Sequence, residues 1–258
     1  MVSLPKTSKA IKKRSFFGSL ESHLEAPERE FRGHRDILTR NLARYHFVAP
    51  HLHGELLDVG CGRGYGLEVV SSRTMRVLGI DLSPEFLGRA RQHNPGAAFV
   101  CASGEALPVM DRSFDCVVAF EVIEHAQDAQ HFLAELKRVA RRDAVIAVST
   151  PNRLVSSGNR IQPLNPFHVR EYLAAEFQQL LSQTFSTFEL FGQHERSTNA
   201  LSRNSLMDRI PVRWKYLFPL YVQSLLSVAL RPPLRLEECK FEQANLDRSH
   251  TFLALCRN

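Results

Sequence analysis

The run Leu56-Leu57-Asp58-Val59-Gly60-Cys61-Gly62-Arg63-Gly64-Tyr65-Gly66 constrains the fold more than any other stretch of this 258-residue chain. The apolar residues over 55–59 predict a strand. The glycines after it let the backbone turn tightly and let a ligand approach without a Cβ in the way. A helix is predicted over 66–72 and a second strand over 75–80, closed by Asp81. An acid at such a strand end suits ribose hydroxyls. Strand, glycine turn, helix, strand and acid in that order point to a nucleotide-type ligand far more strongly than the glycines alone.

The alternation continues. Ser83-Pro84-Glu85 combines a capping hydroxyl, a first-turn proline and an acid at the positive end of a helix dipole. That helix runs to about His93. Further strands are predicted over 97–102, 115–120 and 144–149, with helices over 129–140 and 171–183. Phe132, Leu133, Leu136 and Val139 recur at helical spacing in the first of these helices. The last strands are predicted over 185–191 and 250–256. The expected fold is α/β, a doubly wound, mostly parallel seven-stranded Rossmann-like sheet with helices on both faces. Residues 1–20 are expected to be a basic disordered tail. Residues 21–258 form one domain, with a helical extension over 21–54 and a helical lid inserted at 192–248.

Composition narrows the class. With 44% apolar and 23% charged residues, the chain is neither disordered, collagen-like nor a bundle of membrane spans. The net charge is +6. Residues 1–20 carry +5, residues 201–240 carry +4 and the remainder −3. A nucleic-acid partner is therefore not expected, because the domain centre is mildly acidic. Residues 210–236 mix Trp214, Tyr216, Phe218 and Tyr221 with Arg213, Lys215, Arg231 and Arg235, and Arg209 flanks them. That mixture suits a lid, or peripheral contact with a membrane surface or lipid-linked substrate. Cys61, Cys101, Cys116, Cys239 and Cys256 include no C-x-x-C pair, and three of them fall in strands expected to be buried. Reduced thiols and a cytoplasmic protein, with membrane association as an option, fit best. No motif sets an oligomeric state.

The dinucleotide fingerprint fails at Tyr65 in one register and at Leu67 in the other, which disfavours NAD. The pattern Asp58-x-Gly60-x-Gly62-x-Gly64 instead resembles the class I S-adenosylmethionine-dependent methyltransferases, in particular the group that includes the ubiquinone-pathway O-methyltransferases. The resemblance spans roughly residues 40–192 and resumes at 249–256. Gly79-Ile80-Asp81 is similar to the family's ribose-binding strand end. Residues 102–108 resemble its adenine loop, 113–125 its fourth-strand motif, and Ser149-Thr150-Pro151-Asn152 the end of its fifth strand. The resemblance implies S-adenosyl-L-methionine as cofactor, held by Asp58, Gly60, Cys61, Gly62, Gly64, Asp81, Leu82, Ser103, Gly104 and Phe120. Relatives usually carry Asp where this chain has Ser103, which accepts a hydrogen bond without charge. Arg44-Tyr45 could close over the cofactor from the N-terminal helix, or simply pack.

Glu121-x-x-Glu124-His125 follows the fourth strand, at the carboxyl edge where ligands bind in such sheets, and His168 follows the fifth strand at the same edge. Glu124, His125 and His168 are the expected catalytic residues. Two readings stand open. Glu121, Glu124, His125 and His168 resemble the set that binds Mg²⁺ in small-RNA 2′-O-methyltransferases, where a metal lowers a hydroxyl's pKa. Alternatively, the histidine is a metal-free base or caps a helix. The resemblance implies O-methylation of a small molecule, sugar or lipid-linked glycan. RNA 2′-hydroxyl methylation and a catalytically silent cofactor-binding scaffold are the alternatives.

Overall fold

The computed structural model describes residues 32–158, 160–195 and 234–258. The predicted tail, most of the lid and nearly all of 210–236 lie outside these residues. Helix α1 (Arg32–Val48) precedes the sheet. Then come β1 (Glu55–Val59), α2 (Tyr65–Val70), β2 (Arg76–Asp81), α3 (Pro84–His93), β3 (Ala98–Cys101) and β4 (Phe114–Phe120). The chain continues through α4 (Ala129–Val139), β5 (Ala140–Pro151), a short α5 (Arg153–Ser156), α6 (Ala174–Thr184) and β6 (Thr187–Glu195). It ends with β7 (Cys239–Glu242) and β8 (Thr251–Arg257). The helix starts follow the sequence chemistry. Ser83 Oγ accepts from Phe86 N–H at 3.2 Å to cap α3, and Asp128 caps α4 by accepting from His131 N–H at 2.9 Å.

The sheet order is β3-β2-β1-β4-β5-β8-β6-β7. The first five strands pair in parallel, while β8 is antiparallel to β5 and to β6. The order reverses at β1, so β1 and β4 run side by side with their connections leading to opposite faces. A crevice opens at that point beyond the carboxyl ends of the strands.

The described residues hold eight strands, not seven. The additional one, β7, lies where a helical insertion was expected and pairs with β6 from Gly192 to Glu195. It spans only Cys-Lys-Phe-Glu, too short for its alternation to stand out. Its Phe241 stacks on Phe47 of α1 at 4.3 Å between ring centroids. The cysteine expectation also needs correcting: Cys116 and Cys256 are buried on their strands, but Cys101 is exposed because β3 is an edge strand.

Alternate residues of a strand face opposite sides. Leu57 and Val59 of β1 join Val117, Ile146 and Val148 on the face covered by α4 and α6, against Phe132, Leu133 and Phe177. Leu56 faces the other layer, with Tyr45 and Val48 of α1, Leu67 and Val70 of α2, and Leu87 of α3. Full burial of each such large side chain contributes about 1.5–3 kcal/mol. Asp58 shares the register of Leu56. The pleat therefore aims a carboxylate into the layer beneath α1. That placement defines the first half of the site.

Candidate active site

The glycine turn and the β2 acid form one piece. Gly60 and Cys61 N–H both donate to Ile80 O, at 2.7 and 3.1 Å. Gly62 N–H donates to Asp81 Oδ2 at 2.9 Å, and Ser83 N–H donates to Asp81 Oδ1 at 2.8 Å. Gly60, Gly62 and Gly64 all have positive φ. At Gly62 a Cβ would meet no atom within 4 Å, so this turn presents bare backbone to open space.

Asp58 sits behind the turn and is 1% exposed. Its Oδ2 accepts from the Tyr45 hydroxyl at 2.9 Å. Its Oδ1 is buried and has no hydrogen-bond partner among the described residues. An unmatched carboxylate oxygen beside an open glycine turn fits the ammonium group of S-adenosylmethionine. Burial pushes the Asp58 carboxyl up to about 7, partly offset by the Tyr45 hydrogen bond, with Asp81 adding a further upward push. Burial likewise raises the Cys61 thiol far above its usual range, so Cys61 is a neutral wall residue.

An unfolded aspartate titrates near 3.9. Between that value and about 7, native Asp58 holds a proton that the unfolded chain has released. Stability of the unliganded protein therefore falls as pH rises through this window. Thermal unfolding of Asp58→Asn beside wild type is expected to show the variant gaining on wild type from pH 5 to pH 8. A gap independent of pH contradicts the assignment.

The other expected cofactor residues are spread around this turn. Ala102 N–H donates to Asp81 O, tying the following loop to β2, and Ser103 Oγ accepts from Glu105 N–H at 3.2 Å. Gly104 serves packing, since a Cβ there would press on Phe132 and Val59. Leu82 is 71% exposed beside the turn. Phe120 is buried and meets the Tyr45 ring edge-on at 4.8 Å.

The second half of the site lies past β4. Glu124 is buried, and its Oε2 accepts from Thr150 Oγ1 at 3.2 Å. Burial raises its carboxyl well above the usual range, and Glu121 adds to the rise. His125 Nδ1 lies 3.0 Å from Phe167 O. A carbonyl only accepts, so the proton is on Nδ1 and Nε2 is the basic nitrogen. Burial lowers the His125 pKa, helped by the neighbouring His168, so the ring is neutral at pH 7. The two imidazoles meet edge to face at 5.0 Å. His168 Nδ1 donates to the buried Glu171 at 2.7 Å, while its Nε2 faces Asn165 Nδ2 at 2.8 Å.

Glu124, His125 and His168 thus come together, each offering a ligand atom within 4.8 Å of the others. Glu121 does not join them. It adopts φ +56, unusual for a glutamate, because Ser149 O and Oγ both accept from its backbone N–H. Its carboxylate accepts from Ser149 Oγ at 2.9 Å and lies 3.9 Å from Arg44 Nη2. Both ring nitrogens of His168 are already engaged, and Glu124 is buried in a state that favours its proton. This donor set is not a ready metal site.

Glu121 points instead into a cleft of about 280 Å³. Ile37, Arg40 and Arg44 of α1 line it, with Val155, Ser156 and His250 opposite. Arg44 is 1% exposed and donates to Gln193 Oε1 at 2.7 Å. The sequence left Arg44 and Tyr45 between closing over the cofactor and simply packing. Gly66 was visible as an additional glycine, and its partner is now clear: a Cβ there would fall inside the Tyr45 ring.

Residues 57–148 match the family described as methyltransferase domain. A probable S-adenosylmethionine-dependent methyltransferase of Mycolicibacterium smegmatis is 42% identical over 127 residues, which cover 49% of each chain. A ubiquinone biosynthesis O-methyltransferase of Sinorhizobium medicae is 34% identical over 128 residues, 48% of this chain and 52% of that one. The chain spans about half the length of the curated relatives it matches. Among solved structures, a SAM-dependent methyltransferase from Archaeoglobus fulgidus aligns with TM-score 0.60 at 17% identity, covering 95% of this chain and all of that one. That similarity supports the fold. Among the described residues, no helix is long and apolar enough to cross a membrane.

Proposed function

We propose that this chain, whose residues 57–148 are a methyltransferase domain of the class I S-adenosylmethionine-dependent type, moves a methyl group from that cofactor to an oxygen of a small-molecule, sugar or lipid-linked acceptor. The observation that carries the reading is the pairing of two features on one sheet edge. One is the unmatched Asp58 Oδ1 behind the open Gly62 turn. The other is a neutral His125 with Nε2 as its basic nitrogen. Transfer to oxygen is supported by relatives that are ubiquinone biosynthesis and malonyl-[acyl-carrier protein] O-methyltransferases.

When bound, S-adenosylmethionine supplies a methyl group on a sulfonium cation, which leaves as a neutral thioether. Asp58 would hold the ammonium group of its amino-acid portion, and Asp81 its ribose hydroxyls. Ser103 would accept from the adenine amino group. The acceptor would enter by the cleft that holds Arg44 and Glu121, with Ile37 and Val155 on its rim. The mixture of charge and apolar surface suits a polar head on an apolar body. His125 Nε2 takes the hydroxyl proton as the oxygen attacks. Phe167 O keeps the His125 ring in the tautomer that can do so. Much of the rate comes from holding the two reactants in line.

A second reading keeps a divalent ion such as Mg²⁺ on Glu124, His125 and His168, favoured by the closeness of their ligand atoms. It requires the Asn165 amide to turn away from His168. One experiment tests both. The full chain is incubated with methyl-labelled S-adenosylmethionine and fractionated cell extract. Base-stable, ether-type label in a small-molecule or lipid fraction, unchanged by exhaustive chelation, is expected under the first reading. Label lost on chelation and restored by Mg²⁺ or Mn²⁺ establishes the second. Label confined to RNA contradicts the small-acceptor reading.

A further inference from the structure

We infer that Tyr45 is a positioning residue of the cofactor site: its hydroxyl fixes Asp58 Oδ2, turning the unmatched Oδ1 toward the glycine turn that receives the cofactor's ammonium group. The inference rests on the cofactor reading above. Three independent features converge on this ring. Its hydroxyl lies 2.9 Å from Asp58 Oδ2. Its edge packs on Phe120, the last residue of β4, at 4.8 Å. Its body occupies the volume that any Cβ at Gly66 would claim, so the glycine opening α2 is required by Tyr45 rather than by the ligand. Helix α1, which precedes the domain matched by the family, thereby reaches the Asp58 carboxylate and, one residue earlier through Arg44, Glu121 at the acceptor cleft.

The electrostatics agree with the geometry. Three outside groups, Asp81, Cys61 and Arg44, act on the Asp58–Tyr45 pair. Tyr45 donates from α1 and holds Asp58 down, whereas Asp81 at the end of β2 pushes it up. Cys61 in the turn and Arg44 on α1 act on Tyr45, in opposite directions. Burial keeps the Tyr45 phenol well above its ordinary range, so it remains a donor throughout the working pH range. Without that donor, Asp58 would hold its proton to higher pH. A protonated Asp58 meets an ammonium group poorly.

The test is Tyr45→Phe, which keeps the ring against Phe120 and Gly66 and removes only the hydroxyl. Losing one donor to a carboxylate raises its proton affinity about tenfold. Calorimetry with S-adenosylmethionine is expected to show the variant about fivefold weaker than wild type at pH 7 and within about twofold at pH 9. In protein labelled with carbon-13 at the aspartate carboxyls, the Asp58 resonance, identified by its loss in Asp58→Asn, is expected to titrate at higher pH in the variant. This second measurement needs no cofactor. An unchanged Asp58 midpoint overturns the inference, as does an affinity ratio that is the same at both pH values. Failure of wild type to bind S-adenosylmethionine, with the Asp58 midpoint still shifted, overturns the cofactor reading instead. Should Tyr45→Phe lower the unfolding temperature, adding it to Asp58→Asn separates the roles. There it should leave the pH dependence of affinity untouched, and a persistent change overturns the inference.

Discussion

Gly62→Val is expected to abolish binding of S-adenosylmethionine, weakening it by at least about 100-fold, or about 2.7 kcal/mol. The glycine has φ +54, a conformation that costs a side chain with a Cβ roughly 1–2 kcal/mol and a β-branched one more. The fold can carry that cost, because a Cβ at 62 meets no neighbour within 4 Å. The valine branches would instead occupy the open face of the turn, where the bare backbone otherwise admits the ligand. The variant should therefore be folded, with an unfolding temperature a few degrees below wild type, yet unable to take up the cofactor. Thermal unfolding and calorimetry on the same preparation separate the two effects. Full affinity in Gly62→Val would mean that the ligand does not cross this turn.

The second large effect is on the chemical step. His125→Ala is expected to lower kcat by about 10²–10⁴-fold while the affinity for S-adenosylmethionine stays within about threefold of wild type. The histidine is neutral because burial and His168 hold its pKa down, and Phe167 O fixes the proton on Nδ1. A base in that state can accept the acceptor's proton at pH 7. Single-turnover label transfer measures the step without interference from product release. A kcat within about threefold of wild type would place the base elsewhere, with Glu121 at the acceptor cleft as the next residue to replace.

The parallel half of the sheet was legible because β1, β4 and β5 are largely buried and give way to a glycine, an acid or a proline, and β2 closes on Asp81. Asp58, Gly62 and Asp81 were legible for a related reason: the order strand, turn, helix, strand fixes where each falls on the sheet edge. The antiparallel end was harder. Strand β7 has four residues and follows a long segment, so neither period nor length marked it. The predicted boundaries of β5 fell short because Arg141, Arg142 and Asp143 read as a loop, although they continue the strand past a register shift opposite Phe114 and Cys116.

Side-chain direction was the other limit. Glu121 stands three residues before Glu124, and the motif grouped them. A left-handed backbone at Glu121, imposed by Ser149, turns its carboxylate to Arg44 instead. Nor did the sequence connect Gly66 with Tyr45, 21 positions earlier. Their relation is a matter of volume across two helices, which no local pattern carries.

The glycine turn with Asp58 and Asp81 is the proposed site for S-adenosylmethionine. Calorimetric titration of the full wild-type chain with S-adenosylmethionine at pH 7.5 tests it most directly. One saturable site per chain with a dissociation constant on the order of micromolar, competed by S-adenosylhomocysteine and absent in Gly62→Val, is the predicted result. No saturable binding up to about millimolar cofactor, or binding that Gly62→Val leaves intact, would contradict it.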